Sequence, residues 1–334
     1  MNTDCPRRSM ITGTGSYLPE KRITNQYLEK LVETSDEWIR QRTGITERRM
    51  AAPDQATSDL AYEAGKIAIA DAGLTPNDID QIIVATVTPD TVFPATACLV
   101  QHRLGCRQIP SFDLAAACSG FIYAMTVART AIATNMIRHA LLIGAETLTR
   151  FTDYQDRNTC ILFGDGAGAA VLSVVEDPDA TSCIIDTHFA ADGAGADLMV
   201  LPGGGSRIPP SPEMLEKRLN YITLQGRAVY KNAITKIVAL VNESLQRCHL
   251  TSDDIDLIIP HQMNARIIES AAKHLEVPMD KIFMNLDRYG NTSAATIPIA
   301  IDEAKRQGRL TPGKLVALVA FGGGLTWASA LIRW

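Results

Sequence analysis

The chain has 334 residues, 46% hydrophobic and 21% charged, which is the composition of an ordinary globular protein. That length is about twice a common domain, so one large domain or two related ones fit best. A formal net charge of −5 speaks against a nucleic-acid or membrane surface, and no run approaches the roughly 18 apolar residues of a membrane span.

The opening, "MNTDCPRRSMITGTG", turns polar and Gly-rich at once, so no secretory leader is expected and the chain is read as cytoplasmic. A strand "QIIVATV" then leads to a helical run "FPATACLVQHRLG" closing on Gly105. The strand "IPSFDLA", the loop "AAACSG", the helix "GFIYAMTVARTAIATN", the strand "HALLIGAE" and the Gly-rich strand "FGDGAGAAVLSVV" follow. Residues 202–221, "PGGGSRIPPSPEMLEKRLNY", read as a Pro/Gly-rich connection between halves. Beyond it come "DLIIPHQ", the helix "ARIIESAAKHLE", "KIFMNL", "RYGNTSAA", "TIPIAIDEAKRQG", "KLVALVAF" and "GGGLTWASALIRW".

The same elements thus occur twice in the same order. One segment repeats openly: "LTPNDIDQIIV" (74–84) and "LTSDDIDLIIP" (250–260) are identical at seven of eleven positions. The reading is an internally duplicated α/β chain, with an N-terminal half at 1–180 and a C-terminal half at 181–334. Near-continuous apolar strands predict sheets covered on both faces, hence a five-layer α/β/α/β/α stack. The small-residue helices after Cys118 and Asn291 are expected at its centre. The last two strands of each half are expected to pair antiparallel.

Seven cysteines (Cys5, Cys98, Cys106, Cys118, Cys160, Cys183 and Cys248) are scattered, odd in number and never spaced as C-x-x-C. They are read as reduced thiols, with no zinc site and no disulfide framework. Three residues stand where ligands gather in open α/β sheets, beyond the carboxyl ends of strands. Cys118 follows "SFDLA", His261 follows "DLIIP", and Asn291 follows "IFMNL" through "DRYG". A cysteine exposed at a helix start is expected to ionise easily, and an imidazole beside it would make it a nucleophile. Asn264 shares the mouth of the His261 strand. "FGGGLTW" (321–327) reads as a bare-backbone turn whose N–H could approach an anionic oxygen. No Walker, G-x-S-x-G or H-E-x-x-H pattern occurs, and "GTGSYL" lacks the third glycine of a dinucleotide fingerprint.

With these three residues in this order, the chain resembles β-ketoacyl-acyl carrier protein synthase III of the thiolase superfamily. The likeness runs from "GTGSYLP" to the C-terminal "FGGGLTWASALIRW". It is carried by "TSDEWIRQRTGITER" (34–48), "AAACSG" (115–120), "DGAGAAVL" (165–172), "PHQMNARI" (260–267), "GNTSAA" (290–295) and "FGGG" (321–324). The resemblance implies a thiolase-like fold and a decarboxylative Claisen condensation of an acyl-CoA primer with malonyl-acyl carrier protein, initiating fatty-acid synthesis. It implies Cys118 as nucleophile, with His261 and Asn291 stabilising the enolate. Gly323 would supply an oxyanion N–H, and Phe321 an apolar wall against the malonyl carboxylate. Trp38 and Arg157 would hold the adenine of CoA, Arg42 its phosphates, and Asn264 would lie nearby. Arg266 and Lys273 are seven apart on one helix face and, with Lys231, would dock the acidic carrier protein. Phe93 would shape the acyl pocket. A homodimer without cofactor or metal is implied as well. The rivals are a related condensing enzyme of a specialised acyl or polyketide pathway and a non-catalytic carrier-protein scaffold. A thiolase would want a second cysteine where this chain has "AFGGG", and an elongating enzyme a second histidine in place of Asn291.

Overall fold

The computed structural model describes residues 6–334, so Cys5 lies outside the described residues. Its principal elements are β1 (Ser9–Tyr17), α1 (Asp36–Thr43), α2 (Thr57–Asp71), β2 (Gln81–Ala85), α3 (Thr96–Leu104), β3 (Ser111–Leu114), α4 (Gly120–Ala133) and β4 (His139–Thr147). They continue with β5 (Asp165–Val174), β6 (Cys183–Ala191), α5 (Gly226–Arg247), β7 (Leu257–Pro260), α6 (Ala265–His274), α7 (Thr296–Arg306), β8 (Leu315–Gly322) and β9 (Thr326–Arg333). One sheet has the order β1-β5-β4-β2-β3 and the other β7-β8-β9-β6.

Strand periodicity sorts the side chains into layers. Ile83 of β2 and Val316, Leu318 and Ala320 of β8 face a shared central core with α4 and α7. Ile82 and Val84 turn the other way, onto α2 and α3, and Leu315, Ala317, Val319 and Phe321 turn onto α5 and α6. The result is the α/β/α/β/α stack. β4 pairs antiparallel with β5, and β8 with β9.

The repeated eleven-residue segment builds the same device twice. Asp78 accepts from the Thr75 N–H and hydroxyl at 2.8 and 2.7 Å, and Asp254 accepts from Thr251 at 2.8 and 2.9 Å. Each box closes a short turn that feeds a buried parallel strand, β2 or β7.

Two expectations change. Residues 202–221 do not join the halves: β6 already pairs with β9, so the chain crosses between sheets before Cys183 and the Pro/Gly-rich stretch is an excursion from the second sheet. "KIFMNL" does not become a strand. It keeps one bridge, Ile258 to Ile282, because the Gln262 side chain takes over the next partners. Its amide donates to the carbonyls of Pro260 and Phe283 and accepts from the Asn285 N–H.

The halves meet closely at the centre because two strand glycines leave room. A Cβ on Gly144 would stand 2.2 Å from the Ala294 carbonyl oxygen, and one on Gly168 would stand 2.4 Å from the Ile299 nitrogen. The buried carboxylate of Asp302 on α7 accepts from Thr14 and Ser16 of β1 at 2.9 and 2.6 Å, tying the second half to the first. These contacts set the start of α7 against the end of β3, where Cys118 lies.

Candidate active site

Cys118 sits in a single 3-10 turn, Ala117–Ser119, between β3 and α4. The preceding Ala117 holds φ +45°, a left-handed conformation that costs a non-glycine residue free energy and swings the cysteine inward. Gly322 at the end of β8 lies so close that a Cβ there would stand 2.7 Å from the Cys118 nitrogen. The expected exposed, readily ionised thiol is therefore corrected. Cys118 is 5% exposed, and burial, with Glu146 nearby, pushes its thiol up to about 12. Burial thus opposes the thiolate that the N-terminus of α4 would favour. The backbone N–H groups of Cys118 and Gly323 lower the thiol's pKa in part against that burial.

His261 leaves the end of β7 with its backbone N–H on the Val319 carbonyl at 2.8 Å. Its ring is buried, and burial alone holds it down to about 3, so it is neutral at physiological pH. Nδ1 lies 2.7 Å from the Thr296 hydroxyl. The Thr296 hydroxyl and N–H both donate to the Ser293 carbonyl, the hydroxyl at 2.9 Å.

Asn291 follows Gly290, whose φ of +65° and contact with the Leu162 carbonyl suit a residue without a side chain. The Asn291 Oδ1 accepts the Ser293 N–H at 2.8 Å, so the Nδ2 group is left as donor. Its backbone is pinned on both sides, its N–H to Leu162 at 2.9 Å and its carbonyl to the Gly164 N–H at 3.1 Å.

Cys118, His261, Asn291 and Phe321 line one cavity of about 670 Å³ that runs out past Met263 to Trp38, Arg42 and Arg266. Trp38 is presented by α1, capped by Ser35 at its start and by Gly44 (φ +80°) at its end. The Arg157 guanidinium lies 4.5 Å over the Trp38 ring and that of Arg42 5.6 Å from it. Arg227, on the first turn of α5, lines the same mouth and was not singled out by sequence reasoning. Lys231 and Lys273 are exposed and do not line the cavity, whereas Arg266 does.

Asn264 lines the same mouth, and Phe93 stands away from it. Both ends of the Asn264 amide are engaged internally, Oδ1 on the Arg266 N–H and Nδ2 on the Arg42 carbonyl, each at 3.0 Å. It caps α6 and ties α1 to it, which serves the mouth by positioning. Phe93 is 83% exposed and does not line the cavity, because its loop stands out from the body beyond β2.

Models of 3-oxoacyl-[acyl-carrier-protein (ACP)] synthase III match residues 112–196, and those of its C-terminal region match residues 245–334. The chain is 54% identical to the beta-ketoacyl-[acyl-carrier-protein] synthase III of Caldanaerobacter subterraneus over 97% of each chain. It is 51% identical to that of Roseiflexus castenholzii, again over 97% of each. The solved 3-oxoacyl-[acyl-carrier-protein] synthase III of Aquifex aeolicus superposes with a TM-score of 0.90 at 43% identity, covering 98% of this chain and 100% of that one.

The chain belongs to the β-ketoacyl-[acyl-carrier-protein] synthase III family. It is therefore an acyltransferase of the condensing type with the thiolase fold. No helix of this synthase is long and apolar enough to cross a membrane among the described residues, and no group of His, Cys, Asp and Glu among them is placed to hold a metal.

Two buried groups of the synthase make its stability depend on pH in opposite directions. His261 is depressed from 6.5, so it withdraws stability as pH falls from 6.5 towards 3, by about 1.4 kcal/mol per pH unit at most. Glu146 is raised from 4.5 to about 7, so its contribution is full below 4.5 and is lost as pH rises through 7. Between pH 4.5 and 6.5 the two offset. Urea midpoints measured against pH should stay level there and fall below 4.5; in Glu146→Gln the decline should already begin near 6.5.

Proposed function

We propose that this synthase condenses an acyl-CoA primer with malonyl-acyl carrier protein, releasing CoA and carbon dioxide and starting a fatty-acid chain. The observation that carries the reading is one cavity lined together by a thiol, an uncharged imidazole and an amide. The thiol of Cys118 attacks the thioester, and the N–H groups of Cys118 and Gly323 receive the oxyanion. Nε2–H of His261 and Nδ2–H of Asn291 then hold the enolate oxygen formed when the malonyl group loses carbon dioxide. Neutral donors suit that task, since a fixed cation would also stabilise the carboxylate that must leave. Phe321, 2% exposed, gives that carboxylate an apolar wall.

The Trp38–Arg157 stack takes the adenine of CoA, with Arg42 and Arg227 near its phosphates. The basic face of α6 and α5, Arg266, Lys273 and Lys231, docks the acidic carrier protein. Cys118 comes from the half at 1–180 and its two donors from the half at 181–334, so neither half works alone. The reading calls for no cofactor and places the enzyme in the cytoplasm as a homodimer. Phe93 serves an acyl pocket only across that dimer, because it is exposed on its own chain.

The test is intact-protein mass after mixing with a panel of acyl-CoAs. A gain of one acyl group is expected, and the best donor names the primer. No gain from any acyl-CoA would sink the priming role.

A further inference from the structure

Arg48 is 1% exposed and does not line the cavity, and the chemistry above gives it no task. It stands in a two-stranded ribbon, Lys21–Thr24 paired with Glu47–Met50. A guanidinium is rarely buried without a carboxylate beside it. The adjacent Glu47 turns instead to Arg22 and Arg49, at 3.6 and 3.9 Å. The fork of Arg48 is taken up by neutral oxygens. Nη1 donates to the Ile23 carbonyl at 3.1 Å and to Asn25 Oδ1 at 2.8 Å, and Nη2 donates to the Ile161 carbonyl at 2.7 Å.

The two arms differ in what depends on them. Asn25 has other anchors, since its Nδ2 donates to Asp36 Oδ1 at 2.8 Å and to the Ile45 carbonyl at 2.9 Å. α1, which starts at Asp36 and presents Trp38, is therefore held without Arg48, with Ser35 as its cap. The Ile161 carbonyl has no such reserve. Among the described residues no backbone N–H donates to it, so Arg48 is its donor. A buried carbonyl that loses its donor is costly to leave in place.

Ile161 opens the segment that pairs with Asn291, and Ile161, Leu162 and Phe163 all line the cavity. The Leu162 carbonyl accepts the Asn291 N–H, the Gly164 N–H donates to the Asn291 carbonyl, and Phe163 is bridged to Asn291 between them. Arg48 also backs the two glycines at the edges of this bridge. A Cβ on Gly164 would stand 3.0 Å from the Arg48 Cβ, and one on Gly290 would stand 3.3 Å from it. Fork and stem thus both bear on the place where Asn291 stands.

We propose that Arg48 is a positioning residue for the condensation, fixing Asn291 through residues 161–164. The planar fork serves oxygens on both sides at once, which a single ammonium nitrogen is not shaped to do. Asn291 Nδ2 is thereby held at one place in the cavity. A misplacement of about 1 Å caused far from the chemistry can cost about 10²-fold in rate.

The inference rests on Asn291 holding the enolate, so the test is a double-variant cycle. Single-turnover acylation of Cys118 and the rate of condensation are measured in Arg48→Met, Arg48→Lys and Asn291→Ala, and in each Arg48 variant combined with Asn291→Ala. Urea midpoints establish which chains are folded. Arg48→Met should lose about 10²-fold in condensation, while acyl mass on Cys118 appears as fast as in the wild type. Arg48→Lys, which keeps the charge, should recover part of that loss, and it carries the test if Arg48→Met does not fold. In the Asn291→Ala background neither substitution should cost anything more, because the donor that Arg48 places is gone. Equal losses with and without Asn291, or an equal fall in acylation, overturn the positioning role and leave Arg48 a residue of the fold alone. Unchanged condensation in Arg48→Met, or in Arg48→Lys where Arg48→Met does not fold, overturns it too. Full condensation by Asn291→Ala itself would instead sink the reading of Asn291, and this inference with it.

Discussion

Cys118→Ala should gain no acyl mass from any acyl-CoA and form no condensation product, a complete loss rather than a slowing. No other thiol among the described residues lines the cavity. Cys160 is buried in a different cluster, and Cys98, Cys106, Cys183 and Cys248 lie outside the cavity. The variant keeps His261, Asn291 and the Trp38 mouth, so two activities should survive: binding of CoA, and a slow release of carbon dioxide from malonyl-acyl carrier protein. Intact mass, calorimetric binding of CoA and trapped carbon dioxide separate these. Loss of all three would mean a damaged fold, and retained acylation would place the nucleophile elsewhere.

His261→Ala and Asn291→Ala should divide the reaction the other way. Acyl mass on Cys118 should still appear, because neither substitution touches the backbone N–H groups of Cys118 and Gly323, the donors proposed above for the oxyanion. Condensation should fall by about 10²–10³ for each, the usual cost of losing one preorganised donor. The double variant should be less impaired than the product of the two, since both donors serve one oxygen. Asn291→Asp is the sharper probe. It keeps the acceptor that fixes the Ser293 N–H, removes the donor, and adds an anion to a dry site. It should be slower than Asn291→Ala. Single-turnover acylation and steady-state condensation are the measurements, and equal losses in both would refute the division.

Much of this was legible in the residues. Each Thr-Asp box announces a buried strand, and strand-end position singles out Cys118, His261 and Asn291 among many candidates of the same type. Glu146 left a signal as well, a carboxylate at the end of the apolar run "HALLIGAE". Arg227 left none, since a basic residue at a helix start is ordinary surface until a cavity is seen beneath it. The "KIFMNL" strand failed because its apolar pattern fits a strand equally well whether or not Gln262 has taken its hydrogen-bond partners.

Composition, periodicity and the repeat by themselves determined the α/β class, the duplication, the layered stack and the three residues brought to its centre. Those follow from short-range rules: apolar periodicity, turn chemistry and capping act within about ten residues. The protonation states were decided only by tertiary structure. A helix-start cysteine suggests a thiolate and a strand-end histidine suggests a base. Burial opposes the thiolate and keeps the imidazole uncharged, because the cost of a charge depends on everything packed around it.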